Sequence, residues 1–194
     1  MQPAKAIQMM SDTKGKLVVI SAPSGTGKGT VISELLKLRP EFVFSVSATT
    51  RKPRPGEVNG DAYHFISPEC FREMIANDEF LEHAQYVGEY YGTPYKPIKE
   101  RINDGITVIL DIEVQGAKQV MSKEIDAVTI FIMAPSMEEL ESRLRGRGTD
   151  SEEKLLARLE RARKELDEKD RYNHVVVNDN ASRAAKEILE IIER

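Results

Sequence analysis

Leu17 to Thr30 reads LVVISAPSGTGKGT, and this stretch decides the fold. An apolar, β-branched run (Leu17-Val18-Val19-Ile20) ends in a loop that holds Gly25 and Gly27, then Lys28, Gly29 and Thr30. A helical pattern of Val31, Ile32, Leu35 and Leu36 follows at once and stops before Pro40. Strand, glycine-rich loop and helix in that order are the context a phosphate-binding loop requires. Backbone N–H groups in such a loop converge on a phosphate, and the positive end of the following helix dipole adds to them. The lysine brings a mobile point charge to the outer phosphates. The candidate phosphate-binding residues are Ala22, Pro23, Ser24, Gly25, Thr26, Gly27, Lys28, Gly29 and Thr30. Against the pattern G-x-x-x-x-G-K-[ST], Ala22 fills the first position and Gly29 the last. Alanine there is a mild change. Gly29 matters more, because it lacks the hydroxyl that would hold Mg²⁺ directly and Thr30 comes one position late.

Working outward, 194 residues suggest one domain with insertions and a sizeable core. The net charge of −4 argues against nucleic acid or an anionic membrane as the main partner, so any basic site is local. The lone Cys70 excludes an internal disulfide and fits a reducing cytoplasm. No apolar run approaches the roughly 20 residues of a membrane span. The leader MQPAKAIQMMSDTKGK lacks the apolar stretch of a signal peptide, and residues 1–14 read as a flexible tail.

Three more apolar runs, 106–112, 127–134 and 175–177, have the continuous β-branched character of strands buried on both faces of a parallel sheet. Helical patterns over 97–103, 114–123, 137–147, 151–169 and 182–194 lie between and after them. Alternating strands and helices predict a doubly wound parallel α/β sheet of about five strands. Residues 42–95 break that rhythm with short strand-like pieces at 42–47, 63–66, 80–87 and 89–91, and they hold five of the six tyrosines. Such composition suits a small mixed insertion, of the kind that commonly holds a second substrate.

Five ordered blocks carry a resemblance to the guanylate kinases: SAPSGTGKGT, SVSATTRKPRPGEVNGDAYHF, EFLEHAQYVGEYYGTP, ILDIEVQG and RLRGRGTDSEEKLLARL. The resemblance covers about residues 16–194 and implies a P-loop enzyme that transfers the terminal phosphate of ATP to GMP, and to dGMP as well, in the cytoplasm. It implies a core of 15–41, 96–136 and 170–194, an NMP-binding insertion over 42–95 and a helical lid over about 137–169.

Arg51 and Arg54, stiffened by Pro53 and Pro55, suit a forked clamp on a dianionic phosphate. The resemblance implies that they hold the GMP phosphate together with Tyr63 and Tyr91. Guanine presents N1–H and a 2-amino group side by side, and carboxylates are the acceptor-only groups that read such a pair. The resemblance gives that role to Glu82, aided by Ser47 and Thr93, with Asp111 and Glu113 in the same site. Asp111 also ends a buried strand where α/β ligand sites lie, and is expected in the outer shell of Mg²⁺ through water.

Of the arginines between 143 and 163, Arg143, Arg147 and Arg158 match lid arginines that would close over the triphosphate. Arg145, Arg161 and Arg163 read as a solvated, salt-bridged helix face. Arg147 and Asn178 are expected near adenine. The implied catalytic set is Lys28, Arg51, Arg143, Arg147 and Arg158. Two other readings stand beside it: a kinase for another phosphorylated small molecule, and a guanylate-kinase-like module that binds phosphopeptides without catalysis. The phosphate loop and arginine positions argue against the second.

Overall fold

The computed structural model describes residues 15–61, 63–86, 88–123, 125–146 and 151–194. The N-terminal tail expected at 1–14 and the expected lid residue Arg147 lie outside the described residues.

The chain builds nine strands and seven α-helices. In order these are β1 (Leu17–Ser21), α1 (Lys28–Leu38), β2 (Val43–Phe44), β3 (Ser47–Thr49), β4 (Tyr63–Phe65), α2 (Pro68–Ala76), β5 (Phe80–Tyr86) and β6 (Glu89–Pro94). Then come α3 (Tyr95–Asn103), β7 (Val108–Asp111), α4 (Val114–Ser122), β8 (Val128–Met133), α5 (Met137–Gly146), α6 (Glu152–Leu166), β9 (His174–Val177) and α7 (Ala181–Glu193). Counts refer to the described residues.

Five strands form an all-parallel sheet in the order β2-β7-β1-β8-β9. Central β1 is buried along its whole length. Val18 and Ile20 face α1 and α7, packing with Val31, Leu35, Ala185 and Ile188. Leu17 and Val19 face α3 and α4, packing with Ile98, Ala117 and Val120. Burying one such aliphatic side chain is worth roughly 1.5–3 kcal/mol, and helices on both faces explain why the strand sequences show no alternation. The doubly wound sheet expected from sequence is the observed one.

The second sheet has the order β4-β3-β6-β5, with β3 and β4 parallel and the other pairs antiparallel. One sequence expectation divides here. The piece at 42–47 reads as a single strand of the insertion, but Val43–Phe44 pairs with β7 in the parallel sheet and only Ser47–Thr49 joins the second one. The main chain changes sheets in between, after Ser45 N–H donates to the Ile109 carbonyl. Helix α3 starts two residues before Pro97, which sits in the first turn where its missing N–H leaves no bond unmade. Helices α5 and α6 pack on each other through Leu140, Leu144, Leu155 and Leu159 beyond the end of β8.

Candidate active site

The loop between β1 and α1 owes its shape to two glycines. Gly25 and Gly27 have φ of +94° and +86°, in the left-handed region that side chains rarely adopt. Space requires glycine as well. A Cβ on Gly25 would lie 2.7 Å from the Leu144 side chain of α5, and one on Gly27 would lie 2.7 Å from Asn178 Nδ2.

Behind the loop, the Thr26 carbonyl accepts from Asn178 Nδ2 at 2.7 Å and from Arg143 Nη1 at 3.1 Å. Arg143 Nη2 donates to the Asn178 carbonyl, and its Nε donates to Glu139. The structure thus sets Asn178, buried at the end of β9, and Arg143 against the back of the loop, with their donors turned to its backbone. From α6, Arg158 Nη2 donates to Ser24 Oγ at 2.5 Å.

Lys28 opens α1. Its ammonium lies 2.5 Å from Asp111 Oδ1 and donates to the Ile112 carbonyl at 2.9 Å. Strand β7 therefore places Asp111 beside the loop, at the carboxyl edge of the sheet where α/β ligand sites form. Gly29 is exposed, and a Cβ there would meet nothing within 4 Å, so packing does not demand glycine at that position. Asp111 stands here as a single carboxylate already paired with the Lys28 ammonium. Among the described residues no cluster of His, Cys, Asp and Glu is able to hold an ion by itself.

Across the cleft, the second sheet carries the other candidates. Glu82 and Thr93 are register partners on β5 and β6, and Thr93 Oγ1 donates to Glu82 Oε1 at 2.6 Å. Ser47 Oγ lies 3.4 Å from Thr93 Oγ1. Glu82 is 8% exposed, so its carboxylate is a buried acceptor. Burial pushes its pKa up, the Thr93 hydrogen bond pulls it back, and the Glu113 charge adds to the rise. A cavity of about 940 Å³ brings Ser47, Tyr63, Glu82, Tyr91, Asp111 and Glu113 together. Thr93 stands just behind it through its bonds.

Arg51 sits beside Tyr63, whose ring centroid is 5.2 Å from the guanidinium carbon, and it pairs with Glu57 through both Nη atoms. Arg54 is exposed, and its backbone N–H donates to Glu57. Glu113 is the residue preceding α4, and its carboxylate accepts from Arg161 Nη2 at 2.6 Å.

Three features escape a linear reading. Arg161, read as part of a solvated face, reaches across from α6 to Glu113 while also bonding Glu165. Gly116 is the seat of Glu82, since a Cβ there would stand 2.9 Å from Glu82 Oε2. Glu57 organises the arginine pair; its place three residues after Arg54, behind Pro55-Gly56, is the one signal in the sequence that marks it. Arg145 behaves as expected, bonding Glu141 and Glu152 at the surface of α5 and α6.

The family model described as guanylate kinase matches residues 14–194. The chain belongs to the guanylate kinase family. It is 47% identical over 193 residues to a guanylate kinase of Nostoc sp., covering 97% of each chain. It is 49% identical over 181 residues to one from Clostridium perfringens, covering 93% of this chain and 84% of that one. The crystal structure of guanylate kinase from Anaplasma phagocytophilum superposes with a TM-score of 0.70 at 36% identity, covering 93% of this chain and 86% of that chain. The glycine-rich loop and the acceptor-lined cavity meet at Asp111, which lines the cavity and pairs with Lys28.

Proposed function

We propose that the two sides of the cleft divide the guanylate kinase reaction between them, with ATP on the glycine loop and GMP in the acceptor-lined cavity. The reaction, transfer of the terminal phosphate of ATP to GMP, is that of the family to which the chain belongs. In this reading Ala22 to Thr30 cradle the ATP phosphates with backbone N–H groups. Lys28 leaves Asp111 and the Ile112 carbonyl to bridge the outer phosphates. Asn178 and Arg143 keep the Thr26 peptide oriented so that the loop's N–H groups point inward. Arg158, with Arg147, adds positive charge to the transferring phosphoryl group from the lid.

Arg51, Arg54, Tyr63 and Tyr91 hold the GMP phosphate, whose ionised oxygen is the nucleophile, so no general base is needed. Positioning and cationic stabilisation supply the rate. Glu82 reads guanine N1–H and the 2-amino group, with Thr93 and Ser47 fixing its carboxylate and Glu113 at the rim. Asp111 would hold Mg²⁺ brought with ATP through water, and the ion would supply charge neutralisation on the triphosphate. The same reading extends to dGMP, which shares the base and the phosphate that these residues hold.

The observation that carries this reading is the buried Glu82 carboxylate, an acceptor-only group whose one hydrogen bond among the described residues, from Thr93, leaves an oxygen for the base. Domain division into core, insertion and closing lid, and a cytoplasmic setting, belong to the same proposal. Among the described residues no helix is long and apolar enough to cross a membrane. A coupled assay of ADP formation with GMP, dGMP, AMP and UMP tests it. The expected result is turnover with the two guanine nucleotides, and equal rates with AMP and GMP would overturn the assignment of Glu82.

A further inference from the structure

The segment Arg51 to Glu57, RKPRPGE, closes on itself. Glu57 N–H donates to the Arg54 carbonyl at 3.0 Å, and Gly56 has φ +88° after Pro55. Proline followed by a positive-φ glycine is the signature of a type II turn. The turn brings the Glu57 carboxylate back over its own start, where it accepts the Arg54 backbone N–H at 2.6 Å. The same carboxylate takes Arg51 Nη1 at 2.7 Å and Nη2 at 2.8 Å. These bonds hold the Glu57 carboxyl down at about 2, so it stays ionised through the neutral range.

A guanidinium carries five N–H donors on two forked edges. Glu57 occupies the fork between the two Nη atoms, and the Lys52 carbonyl takes a further Nη1 proton at 2.9 Å. What is left is the edge made of Nε–H and the second Nη2–H, which meets no carboxylate or carbonyl among the described residues; the Tyr91 hydroxyl also interacts with this guanidinium. Two parallel donors on one edge match two oxygens of a phosphate monoester. Tyr63 and Phe65 rings lie 5.2 and 5.4 Å from the guanidinium carbon and fix its plane.

We propose that Glu57 is a positioning residue for the acceptor phosphate: it occupies one fork of Arg51 and thereby presents the other, Nε and Nη2, to the phosphate monoester. The inference rests on the GMP reading above. It differs from a competitive role, in which the carboxylate would stand in for the phosphate and be displaced by it. Occupied and presented edges are different edges, and the turn that holds Glu57 is a backbone feature independent of substrate.

The test compares unaltered protein with Glu57→Gln and Glu57→Ala. KM for GMP is measured at saturating ATP, KM for ATP at saturating GMP, and each variant's thermal melt checks folding. Freeing one rotamer-rich side chain from its bound orientation weakens binding by roughly tenfold at the upper end. Glu57→Ala is therefore expected to raise KM for GMP about tenfold, with KM for ATP and the melting temperature close to unaltered. Glu57→Gln keeps one acceptor and is expected to fall between. A KM for GMP that is unchanged in the alanine variant overturns the inference, and a lowered one assigns the competitive role instead. If the unaltered protein shows no turnover with GMP, the reading of the site falls and this inference with it; an active enzyme with indifferent variants refutes the inference alone.

Discussion

Replacing Glu82 with glutamine changes one oxygen for an NH₂ group at nearly constant volume, and so isolates the acceptor chemistry from packing. The glutamine carbonyl is still able to accept from Thr93 Oγ1, which now holds Glu82 Oε1 at 2.6 Å. The NH₂ group then occupies the position from which the carboxylate would meet guanine in the proposed site, and sets a donor against a donor. A hydrogen bond to a charged group is worth about 1.5–3 kcal/mol, which corresponds to a loss of about ten- to 150-fold in kcat/KM for GMP. AMP, whose base carries no adjacent N1–H and 2-amino pair, should lose little, so the GMP-to-AMP ratio collapses.

Stability should move the other way. Burial raises the Glu82 pKa, so its contribution to folding is fully present below the ordinary carboxylate value and is lost as pH rises through the raised one. A neutral amide removes that loss. Near neutral pH the variant should therefore melt at or above the temperature of the unaltered protein while being the poorer enzyme. Steady-state kinetics with GMP and AMP, alongside a thermal melt, read both effects. An unchanged GMP-to-AMP ratio would refute the acceptor argument, and a large loss of stability would show that the side chain holds the fold instead.

Other outcomes follow from the same geometry. Lys28→Ala removes the cation that pairs with Asp111 and that the proposal gives to the outer phosphates, and should cut kcat by roughly 10²–10³-fold while calorimetric GMP binding is retained. Lowering the pH should weaken GMP binding above the range of an ordinary carboxylate, because the raised pKa of Glu82 converts the acceptor to a donor early; Glu82→Gln should abolish that part of the pH profile. Gly116→Ala puts a Cβ 2.9 Å from Glu82 Oε2, so KM for GMP should rise several-fold with little change in KM for ATP, as measured by titrating each substrate separately.

How much of this was legible depended on what kind of information each feature needs. The parallel sheet was readable because continuous runs such as 106–112 have only one economical use in an α/β chain, and because the Gly25, Gly27 and Lys28 spacing constrains a loop by itself. The sheet that β2 joins was not readable: the piece at 42–47 reads as a strand, but two residues carry no periodicity that assigns a partner, and β7 lies far along the chain. At the site, residue types were legible and directions were not. Arg143 and Arg161 stand on neighbouring helices with similar surroundings in sequence, yet one turns to the Thr26 carbonyl behind the glycine loop and the other to Glu113 across the cleft. Asn178 was sensibly placed at the end of the last strand, but its amide is committed to Thr26, which only the fold reveals. Glu57 and Gly116 were missed because each acts through shape: Glu57 closes a turn back onto Arg51 and Arg54, and Gly116 leaves room for Glu82, which lies far from it along the chain.

The most direct measurement is a crystal structure of the protein with GMP bound. The account predicts the guanine N1–H and 2-amino group facing Glu82, and the phosphate on the Nε–Nη2 edge of Arg51, with Glu57 still on the opposite fork. A base turned away from Glu82, with the phosphate lying in the glycine loop between Gly25 and Lys28, would contradict it.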